Sequence, residues 1–368
     1  MTMRVVFDYQ TFSIRQYSGI SRYFVELAAA LGRLGGVDAQ VVAPLAASRF
    51  LAAQRPALRV SGLDVSQFEG LPLRVVRGVN RMLFPLAARR SRPEIVHETG
   101  YAPVRTAPRR ARIVTTMHDT IPERLPERFP DVELHRRLIR AALERADAVI
   151  CVSESTRRDV VELYGVAPER MTVVHLASAL EPAAAGPAEE PEPYFLCVGA
   201  RYPYKNFGAL VKAFGISGLA RTHRLIAFSS QQFSEVELEE MSRAGIAPDR
   251  VRRVSGDDAK LACYYAGATA MVLPSLYEGF GIPVVEAMRC GCPVIASATS
   301  SLPEVGGDAA VYCDPREPES FAVAMRRVAE DSALRTEMMA RGREWAAQFS
   351  WERCARETCA VYRALLAR

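Results

Sequence analysis

Several residue types and patterns that define common protein classes are scarce or missing in this chain. Only three of its 47 basic residues are lysines, and its eight cysteines form no C-x-x-C pair, so a zinc or disulfide framework is not expected. No apolar run approaches the roughly 20 residues that cross a bilayer, and the first residues, MTMRVVFDYQ, lack the succession of a signal peptide. We therefore expect a cytoplasmic protein with free, partly buried thiols.

The length and the charge distribution are informative. A chain of 368 residues that is 49% hydrophobic is too long for one ordinary core, so we expect two domains. Residues 1–180 contain 26 arginines against 18 acids, whereas residues 181–368 contain 21 basic and 24 acidic residues. Arginines alternate with apolar residues in segments 71–92 and 104–112, a pattern typical of contact with an anionic membrane, with a solvated helix face as the alternative. No nucleic-acid binding is expected, because no recognised nucleic-acid-binding module is visible and Phe84 is the single aromatic residue in these segments.

The order of apolar segments predicts an α/β fold with two doubly wound, Rossmann-like domains. The first covers 1–180, and 181–193, EPAAAGPAEEPEP, is predicted as a linker because it has no hydrophobic periodicity. The second covers 194–348, and a final helix at 349–368, capped by Ser350, is expected to pack back toward the N-terminal domain. Parallel α/β sheets bind ligands at their carboxyl ends, so the domains should face each other across a cleft that holds the site. The predicted strands are 4–9, 39–44, 94–99, 112–119, 147–153, 171–176, 194–199, 223–230, 250–256, 269–275, 293–297 and 309–315.

One stretch, LYEGFGIPVVEAMRCGCPV at 276–294, keeps two glutamates in an otherwise apolar sequence. Glu278 lies on a loop after a predicted buried strand, and Glu286 lies about one turn into the following helix. Carboxylates accept charge-assisted hydrogen bonds from vicinal hydroxyls, so the pair suits two parts of one sugar-bearing ligand. The alternative is that Glu278 is solvated and Glu286 complements the helix dipole. The loop between them offers backbone amides at a helix N-terminus and consists of Gly279, Phe280 and Gly281.

The stretch 278–315 resembles the signature of glycosyltransferase family 4, the retaining GT-B nucleotide-sugar transferases with a Glu, seven residues, Glu motif. The resemblance implies the GT-B fold, a nucleoside diphosphate sugar as donor, and a glycan or lipid-linked oligosaccharide as acceptor. Within the family, the sequence most resembles mannosyl- and rhamnosyltransferases of polysaccharide and lipopolysaccharide synthesis. This resemblance implies a protein that acts at the inner face of the cytoplasmic membrane. Further matching segments are spread along the whole chain, at 17–31, 114–129, 148–175, 195–214 and 349–363.

The resemblance assigns the donor diphosphate to Lys205 and Arg201. Lysine is so rare here that its presence at a turn near Gly199 also suggests that a compact ammonium is needed rather than a guanidinium. In the family the arginine often follows the glycine directly, whereas here Ala200 intervenes. That departure weakens the assignment of Arg201.

In the first domain, the resemblance implies that Gly19 faces the donor phosphates and the acceptor, with a plain strand-to-helix turn as the alternative. His118 is implied to touch the donor sugar, and Asp119 is expected beside it at the same strand end. His97 has a similar position and a weaker case. A lone histidine near a strand end is more often a hydrogen-bonded core residue, so the structural alternative stays open for both.

The other implied donor contacts lie in the second domain. Ser229 and Val254 are expected to line the nucleotide base, mostly through their backbone. Glu278 is assigned to the hydroxyls of the sugar and Glu286 to the ribose. For Thr299 and Ser300, helix capping is the alternative to a functional role, and Ser153 or Ser155 is expected to cap a helix.

These expectations combine into transfer of a hexose, mannose or rhamnose-like, with retention of anomeric configuration. No cofactor and no metal are expected, because the chain has no D-x-D pair and protein cations would neutralise the leaving diphosphate. A nucleotide-sugar epimerase on the same architecture is one rival. A pyridoxal-dependent phosphorylase is disfavoured by the few lysines, and a non-catalytic nucleotide-sugar-binding scaffold is disfavoured by Lys205, Glu278 and Glu286.

Overall fold

The computed structural model describes residues 2–14, 19–68, 70–184 and 186–368, and the chain divides into two compact units. Unit 1 comprises Met1–Leu176 and Ser350–Arg368, and unit 2 comprises Ala177–Phe349. Each unit is a parallel sheet with helices, as the alternation of apolar runs predicts. Within the described ranges, no helix combines the length and the apolar content that a membrane span requires.

Unit 1 contains a seven-stranded parallel sheet in the order β3-β2-β1-β4-β5-β6-β7. Its strands are β1 (Met3–Phe7), β2 (Val37–Ala46), β3 (Val60–Asp64), β4 (Ile95–Glu98), β5 (Arg112–Met117), β6 (Ala148–Cys151) and β7 (Met171–Val173). The helices between them are α1 (Gly19–Arg33), α2 (Arg49–Gln54), α3 (Leu73–Ser91), α4 (Ile121–Arg124), α5 (Val132–Arg145) and α6 (Glu154–Tyr164). Strand β3, which the sequence did not predict, is an edge strand with mostly exposed residues and therefore carries no buried apolar pattern.

Helix ends in unit 1 follow ordinary capping chemistry. Ser153 caps α6 by accepting from the Thr156 amide at 3.0 Å, which confirms the predicted cap. Gly165 ends the same helix with a φ of 67°, a left-handed conformation that glycine adopts without steric penalty. Both ends of α6 are therefore fixed by local sequence.

Unit 2 contains a six-stranded parallel sheet in the order β10-β9-β8-β11-β12-β13. Its strands are β8 (Tyr194–Val198), β9 (Arg224–Phe228), β10 (Val251–Val254), β11 (Ala270–Leu273), β12 (Val294–Ser297) and β13 (Ala310–Cys313). Its helices are α7 (Phe207–Ser217), α8 (Glu235–Arg243), α9 (Asp258–Gly267), α10 (Ile282–Arg289), α11 (Leu302–Gly306), α12 (Pro318–Glu330) and α13 (Ser332–Ala346). Its core joins buried side chains from both halves of the sheet, such as Phe195, Phe214, Ile295 and Phe321.

The segment predicted as a linker packs onto unit 2. Glu192 pairs with Arg224 at 2.8 Å and with Arg250 at 2.7 Å, and Glu190 pairs with Arg252. Acidic residues of 181–193 therefore attach this segment to strands β9 and β10 and to the turn before β10. The boundary between the units lies at residues 176 and 177, several residues before the predicted linker.

The C-terminal helix α14 (Trp351–Leu366) belongs to unit 1. Ser350 caps it by accepting from the Arg353 amide at 3.2 Å, as predicted. Its buried side packs on α1, and the fully buried Tyr362 hydroxyl lies 2.6 Å from Nδ1 of His97 on β4. The other ring nitrogen of His97 lies 2.7 Å from the Thr116 hydroxyl on β5. His97 is therefore a hydrogen-bonded core residue that ties the last helix to the first sheet.

Candidate functional site

The carboxyl edge of the unit 2 sheet has a topological switch point between β8 and β11. The chain leaves β8 toward β9 on one side and leaves β11 toward β12 on the other, so the loops after these two neighbouring strands open a crevice. Lys205 follows β8, and Glu278 follows β11. Open α/β sheets bind ligands at this kind of position, and both residues were predicted site residues.

Lys205 and Glu278 form an ion pair at this edge. The Lys205 ammonium lies 2.6 Å from Oε1 of Glu278, and the Ser275 hydroxyl donates to the same oxygen at 2.6 Å. The side chains of Lys205 and Glu278 are 19% and 8% exposed. The Glu278 carboxylate is thus a buried charge that two donors stabilise, while the Lys205 side chain remains partly exposed.

Asn206 fixes the turn that carries Lys205. It has a φ of 59°, a left-handed conformation that asparagine tolerates, and its amide donates to the carbonyls of Pro274 at 3.1 Å and Pro315 at 2.7 Å. The loop after β8 is thereby fastened to the loop after β11. The position of the Lys205 ammonium follows from this anchoring.

The loop that contains Glu278 is held by the serines after β12. Ser301 donates to the carbonyls of Glu278 at 2.9 Å and Phe280 at 3.0 Å, and the Ser300 hydroxyl accepts from the Glu278 amide at 2.9 Å. Ser300 has a φ of 52°, a strained conformation for serine that clusters at functional sites. Ser300 therefore supports the Glu278 backbone in this structure, which is a contact that the sequence did not indicate.

Helix α10 begins after Gly281, which has a φ of 97°. A Cβ atom added to Gly281 would lie 2.6 Å from a methyl carbon of Leu302. Only glycine fits that position, because both the backbone angle and the space exclude a side chain. Phe280 is 4% exposed, and its ring packs edge-on against Phe349 at 5.7 Å between centroids. Gly279 is buried as well. The Phe280 ring is thus a core contact, and only the backbone of 279–281 remains for the predicted donor role.

Glu286 lies on α10 and is 8% exposed. The hydroxyl of the fully buried Tyr265 donates to its Oε2 at 3.1 Å. Tyr265 was not predicted as a site residue, since it lies on another helix, α9, in an apolar stretch. The tyrosine hydroxyl therefore helps to orient the Glu286 carboxylate.

Arg201 is engaged away from Lys205. Its side chain is 3% exposed, and its Nε donates to Glu237 at 2.6 Å. Its Nη2 donates to the carbonyls of Gln231 at 3.0 Å and Gln232 at 2.6 Å. The guanidinium also lies over the rings of two phenylalanines, at 4.7 Å for Phe233 and 5.5 Å for Phe207. In this structure Arg201 holds the loop after β9, and its contact with the diphosphate stays a prediction.

Ser229 and Val254 lie at the carboxyl ends of β9 and β10. The Ser229 amide donates to the Val254 carbonyl at 2.8 Å, and the two residues are 7% and 8% exposed. The Gln231 amide donates to the Ser229 hydroxyl at 3.2 Å. Both lie on the same sheet edge as Lys205, beside the loop that Arg201 holds.

The predicted unit 1 residues gather around the carboxyl ends of β1, β4 and β5. His118 follows β5, its Nε2 is buried without a hydrogen-bond partner among the described residues, and burial lowers its pKa to about 3. The Tyr23 ring on α1 lies edge-on to it at 5.1 Å, so Gly19, one turn earlier on α1, is near the same edge. Asp119 accepts from the Ile121 amide at 3.1 Å. The part of the glycine-bearing loop at 15–18 lies outside the described residues.

The structure adds an acidic cluster to this edge that the sequence analysis did not single out. Asp8, after β1, is fully buried and accepts from the Thr99 hydroxyl at 2.7 Å. Glu98, at the end of β4, pairs with Arg145 at 2.7 Å, and burial together with the nearby Asp8 charge raises its pKa to about 7. Polar residues directly after strands, as in VFDYQ and VHETG, were the available signal. No group of three or more His, Cys, Asp or Glu side chains in the described ranges is arranged to hold a metal ion.

Comparison with known proteins extends this description. The model of glycosyl transferases group 1 matches residues 181–345, and the model of glycosyltransferase family 4 matches residues 17–177. The chain is 31% identical over 274 residues to O-antigen chain mannosyltransferase B of Escherichia coli, which covers 69% of this chain and 71% of that protein.

Solved structures share the fold at low sequence identity. Sucrose-phosphate synthase from Thermosynechococcus elongatus matches with a TM-score of 0.78 and 22% identity over 100% of both chains. HepE from Anabaena, solved in complex with UDP and glucose, matches with a TM-score of 0.74 and 18% identity over 98% of this chain and 100% of that one.

The fold and the two matching domain models define the chain as a glycosyltransferase with the GT-B fold, as predicted. More particularly, it belongs to the family 4 glycosyltransferases, in the group that includes O-antigen mannosyltransferases. The epimerase and the non-catalytic scaffold gain no support from these comparisons.

Proposed function

We propose that this glycosyltransferase moves a hexose, with mannose favoured over a rhamnose-like sugar, from a nucleoside diphosphate sugar to a glycan or glycolipid acceptor in cell-surface polysaccharide synthesis. The observation that carries the proposal is the Lys205–Glu278 pair at the switch point of the unit 2 sheet, 2.6 Å apart. A partly exposed cation beside an acceptor-only carboxylate suits a ligand that presents a phosphate next to sugar hydroxyls. The similarity to O-antigen chain mannosyltransferase B supports mannose.

In this proposal each group at the edge has one role. Lys205 neutralises the charge that develops on the departing diphosphate, and Glu278 accepts hydrogen bonds from hydroxyls of the sugar. Glu286, oriented by Tyr265, accepts from the ribose, and the amides of 279–281 face the ligand. The UDP and glucose bound to the structural neighbour HepE are consistent with such a donor. Arg201 acts as a positioning residue, because Glu237 and two carbonyls already engage it.

The proposed chemistry retains the anomeric configuration. The bond from the anomeric carbon to the diphosphate oxygen breaks, and a bond to the acceptor oxygen forms on the same face. The proton of the acceptor hydroxyl passes to the leaving phosphate, so charge and atoms balance without a further reactant. No metal is required in this scheme, since Lys205 and helix amides supply the positive potential.

For His118 we keep the predicted contact with a sugar hydroxyl of the donor. Burial keeps its imidazole neutral, and its unpartnered Nε2 can donate or accept one hydrogen bond. A buried polar atom without a partner is costly, and a ligand hydroxyl would satisfy it. The proposal also includes peripheral contact with an anionic membrane, where a lipid-linked acceptor would lie.

Thermal shift with UDP, GDP, ADP and dTDP at equal concentration tests donor binding. A nucleotide at 100 times its Kd stabilises the native state by about 2.7 kcal/mol, so one base should raise the melting temperature more than the others. The shift should disappear in Lys205→Met and persist in Lys212→Met, whose lysine is exposed on α7. Release of that nucleotide from its sugar should then require an acceptor, whereas an epimerase would turn over without release. No shift with any of the four nucleotides contradicts the proposal.

A further inference from the structure

Helix α3 has an apolar stripe on the side that faces away from its sheet. Val75, Val79, Met82 and Leu86 follow the spacing i, i+4, i+7 and i+11, which places them on one face of the helix. Met82 is 69% exposed, Leu86 59% and Val75 44%, and Val79 is half-buried. The outward face of a helix on a soluble protein is normally its most polar face, so this stripe is unusual.

The opposite side of α3 fixes how the helix is turned. Val76, Asn80, Phe84 and Ala88 are each fully buried and repeat every four residues. Asn80 accepts from the Leu45 amide at 2.7 Å and donates to the Leu45 carbonyl at 2.8 Å and to the Ser13 hydroxyl at 2.9 Å. Two of these bonds fix the helix to β2, and the third fixes it to Ser13. The apolar stripe is therefore held outward by the packing of the other face.

Arginines surround the stripe without acidic partners. Helix α3 contains five exposed arginines, and no acid occurs between residues 71 and 92. Among the described residues, none of the five side chains forms a recorded ion pair; they are Arg74, Arg77, Arg81, Arg89 and Arg90. Other surface helices of this protein pair their arginines internally, as Arg136 does with Glu133 and Arg353 does with Glu357. Within the described part of the chain, no acidic side chain pairs with the arginines of α3.

The second basic segment contributes little to this surface. Arg105 donates to three carbonyls of its own loop, at 2.8 to 3.3 Å, and Arg112 pairs with Asp147 at 3.1 Å. Of the arginines in 104–112, only Arg109 and Arg110 have no recorded partner within the described part of the chain. Of the two segments predicted to contact a membrane, α3 therefore has the larger number of unpaired arginines in the described part of the chain.

We propose that α3 lies in the surface of an anionic lipid membrane. The stripe would enter the boundary between headgroups and acyl chains, and the flanking arginines would contact lipid phosphates. The combination of an apolar centre and unpaired cations complements a lipid surface of negative charge, whereas an apolar centre alone would fit a protein partner equally. The inference rests on the membrane contact in the proposed function and assigns it to named residues.

Vesicle flotation tests the proposal on the full chain without donor or acceptor. The vesicles are equimolar phosphatidylglycerol and phosphatidylcholine, compared with phosphatidylcholine alone, at low and high salt. We expect binding to the anionic vesicles only, with a marked loss at high salt. The variant Arg81→Gln/Arg89→Gln/Arg90→Gln should bind about 100-fold more weakly, since each basic residue near an anionic surface contributes about fivefold.

The stripe is tested by Met82→Gln/Leu86→Gln, which should lower binding at least tenfold with the charges unchanged. The matched control is Val236→Gln/Leu238→Gln on α8, where the original residues are 64% and 52% exposed but acids surround them. The control should bind like the wild type. Circular dichroism confirms that each variant is folded.

Three results would overturn the inference: no binding of the wild type to anionic vesicles, equal binding to both vesicle types, or unchanged binding by both α3 variants. If light scattering gave different molar masses for the wild type and Met82→Gln/Leu86→Gln, the apolar stripe would be a contact with a second copy of the chain, and the membrane inference would be wrong. The nucleotide-induced thermal shift should be the same in the α3 variants and the wild type. Loss of membrane binding by α3 and loss of nucleotide binding at the donor site can therefore be distinguished.

Discussion

Replacing Lys205 by methionine removes the ammonium that lies 2.6 Å from Glu278. The two side chains are only 19% and 8% exposed, so solvent screens the charge weakly. Unit charges about 4 Å apart at an effective dielectric near 20 interact by about 4 kcal/mol. A preorganised group that stabilises developing charge contributes about 100- to 1,000-fold in kcat, or about 2.7–4 kcal/mol. We expect kcat for glycosyl transfer to fall by about that factor.

The same substitution should also lower the free energy of unfolding. Among the described residues, it leaves the Ser275 hydroxyl as the side-chain donor to the buried Glu278 carboxylate. Removing one member of a buried ion pair costs about 3–5 kcal/mol, and the partial exposure of Lys205 reduces the expected loss to about 1–3 kcal/mol. The double variant Lys205→Met/Glu278→Gln should recover part of this stability but none of the activity. This comparison separates a catalytic role from a structural one.

The assay is nucleotide release coupled to acceptor glycosylation, measured below the melting temperature of each variant. Lys212→Met is the matched control, since Lys212 is exposed on the helix that follows Lys205, and its kcat should stay within twofold of wild type. If folded Lys205→Met kept kcat within tenfold of the wild type, the role assigned to the ammonium would be refuted.

Three further predictions concern residues that the structure connects to the two sheets. Tyr265→Phe removes the hydroxyl that donates to Glu286, so KM for the donor should rise about tenfold with kcat unchanged, and a fall in kcat alone would contradict the ribose role. Arg201→Lys should lower the free energy of unfolding by about 2–3 kcal/mol, measured by denaturant titration, with kcat within about threefold; a large loss of kcat in a stable variant would restore the diphosphate role. Burial lowers the pKa of His97 to about 3, so its stabilising contribution is complete above pH 6.5 and is lost as pH falls from 6.5 toward 3. His97→Gln has no imidazole to titrate, so the difference in free energy of unfolding between wild type and variant should narrow as pH falls through this range, by up to about 1.4 kcal/mol per pH unit. A difference that stays constant from pH 6.5 to pH 3 would contradict this prediction.

Local sequence was sufficient for the elements and for the edge on which the site residues lie. Buried apolar runs predicted twelve of the strands, and the predicted caps at Ser153 and Ser350 are confirmed because capping depends on neighbouring residues only. Strand β3 was missed because an exposed edge strand has no apolar alternation.

Contacts between distant residues were not predictable from the pattern. Lys205 and Glu278 are 73 positions apart, and their pairing depends on β8 and β11 being neighbours in the sheet. Arg201 is engaged by Glu237, which the sequence showed only as part of an acidic helix start. His97 and Tyr362 are 265 positions apart, so the role of His97 as a tether depends on where the last helix packs.

The anomeric configuration of the product, read by NMR after transfer from an α-linked nucleoside diphosphate mannose in the presence of EDTA, tests the central claim most directly. The account predicts an α-linked product, formed by the wild type at an undiminished rate and by Lys205→Met about 100- to 1,000-fold more slowly. A β-linked product, or a complete loss of transfer on adding EDTA, would contradict it.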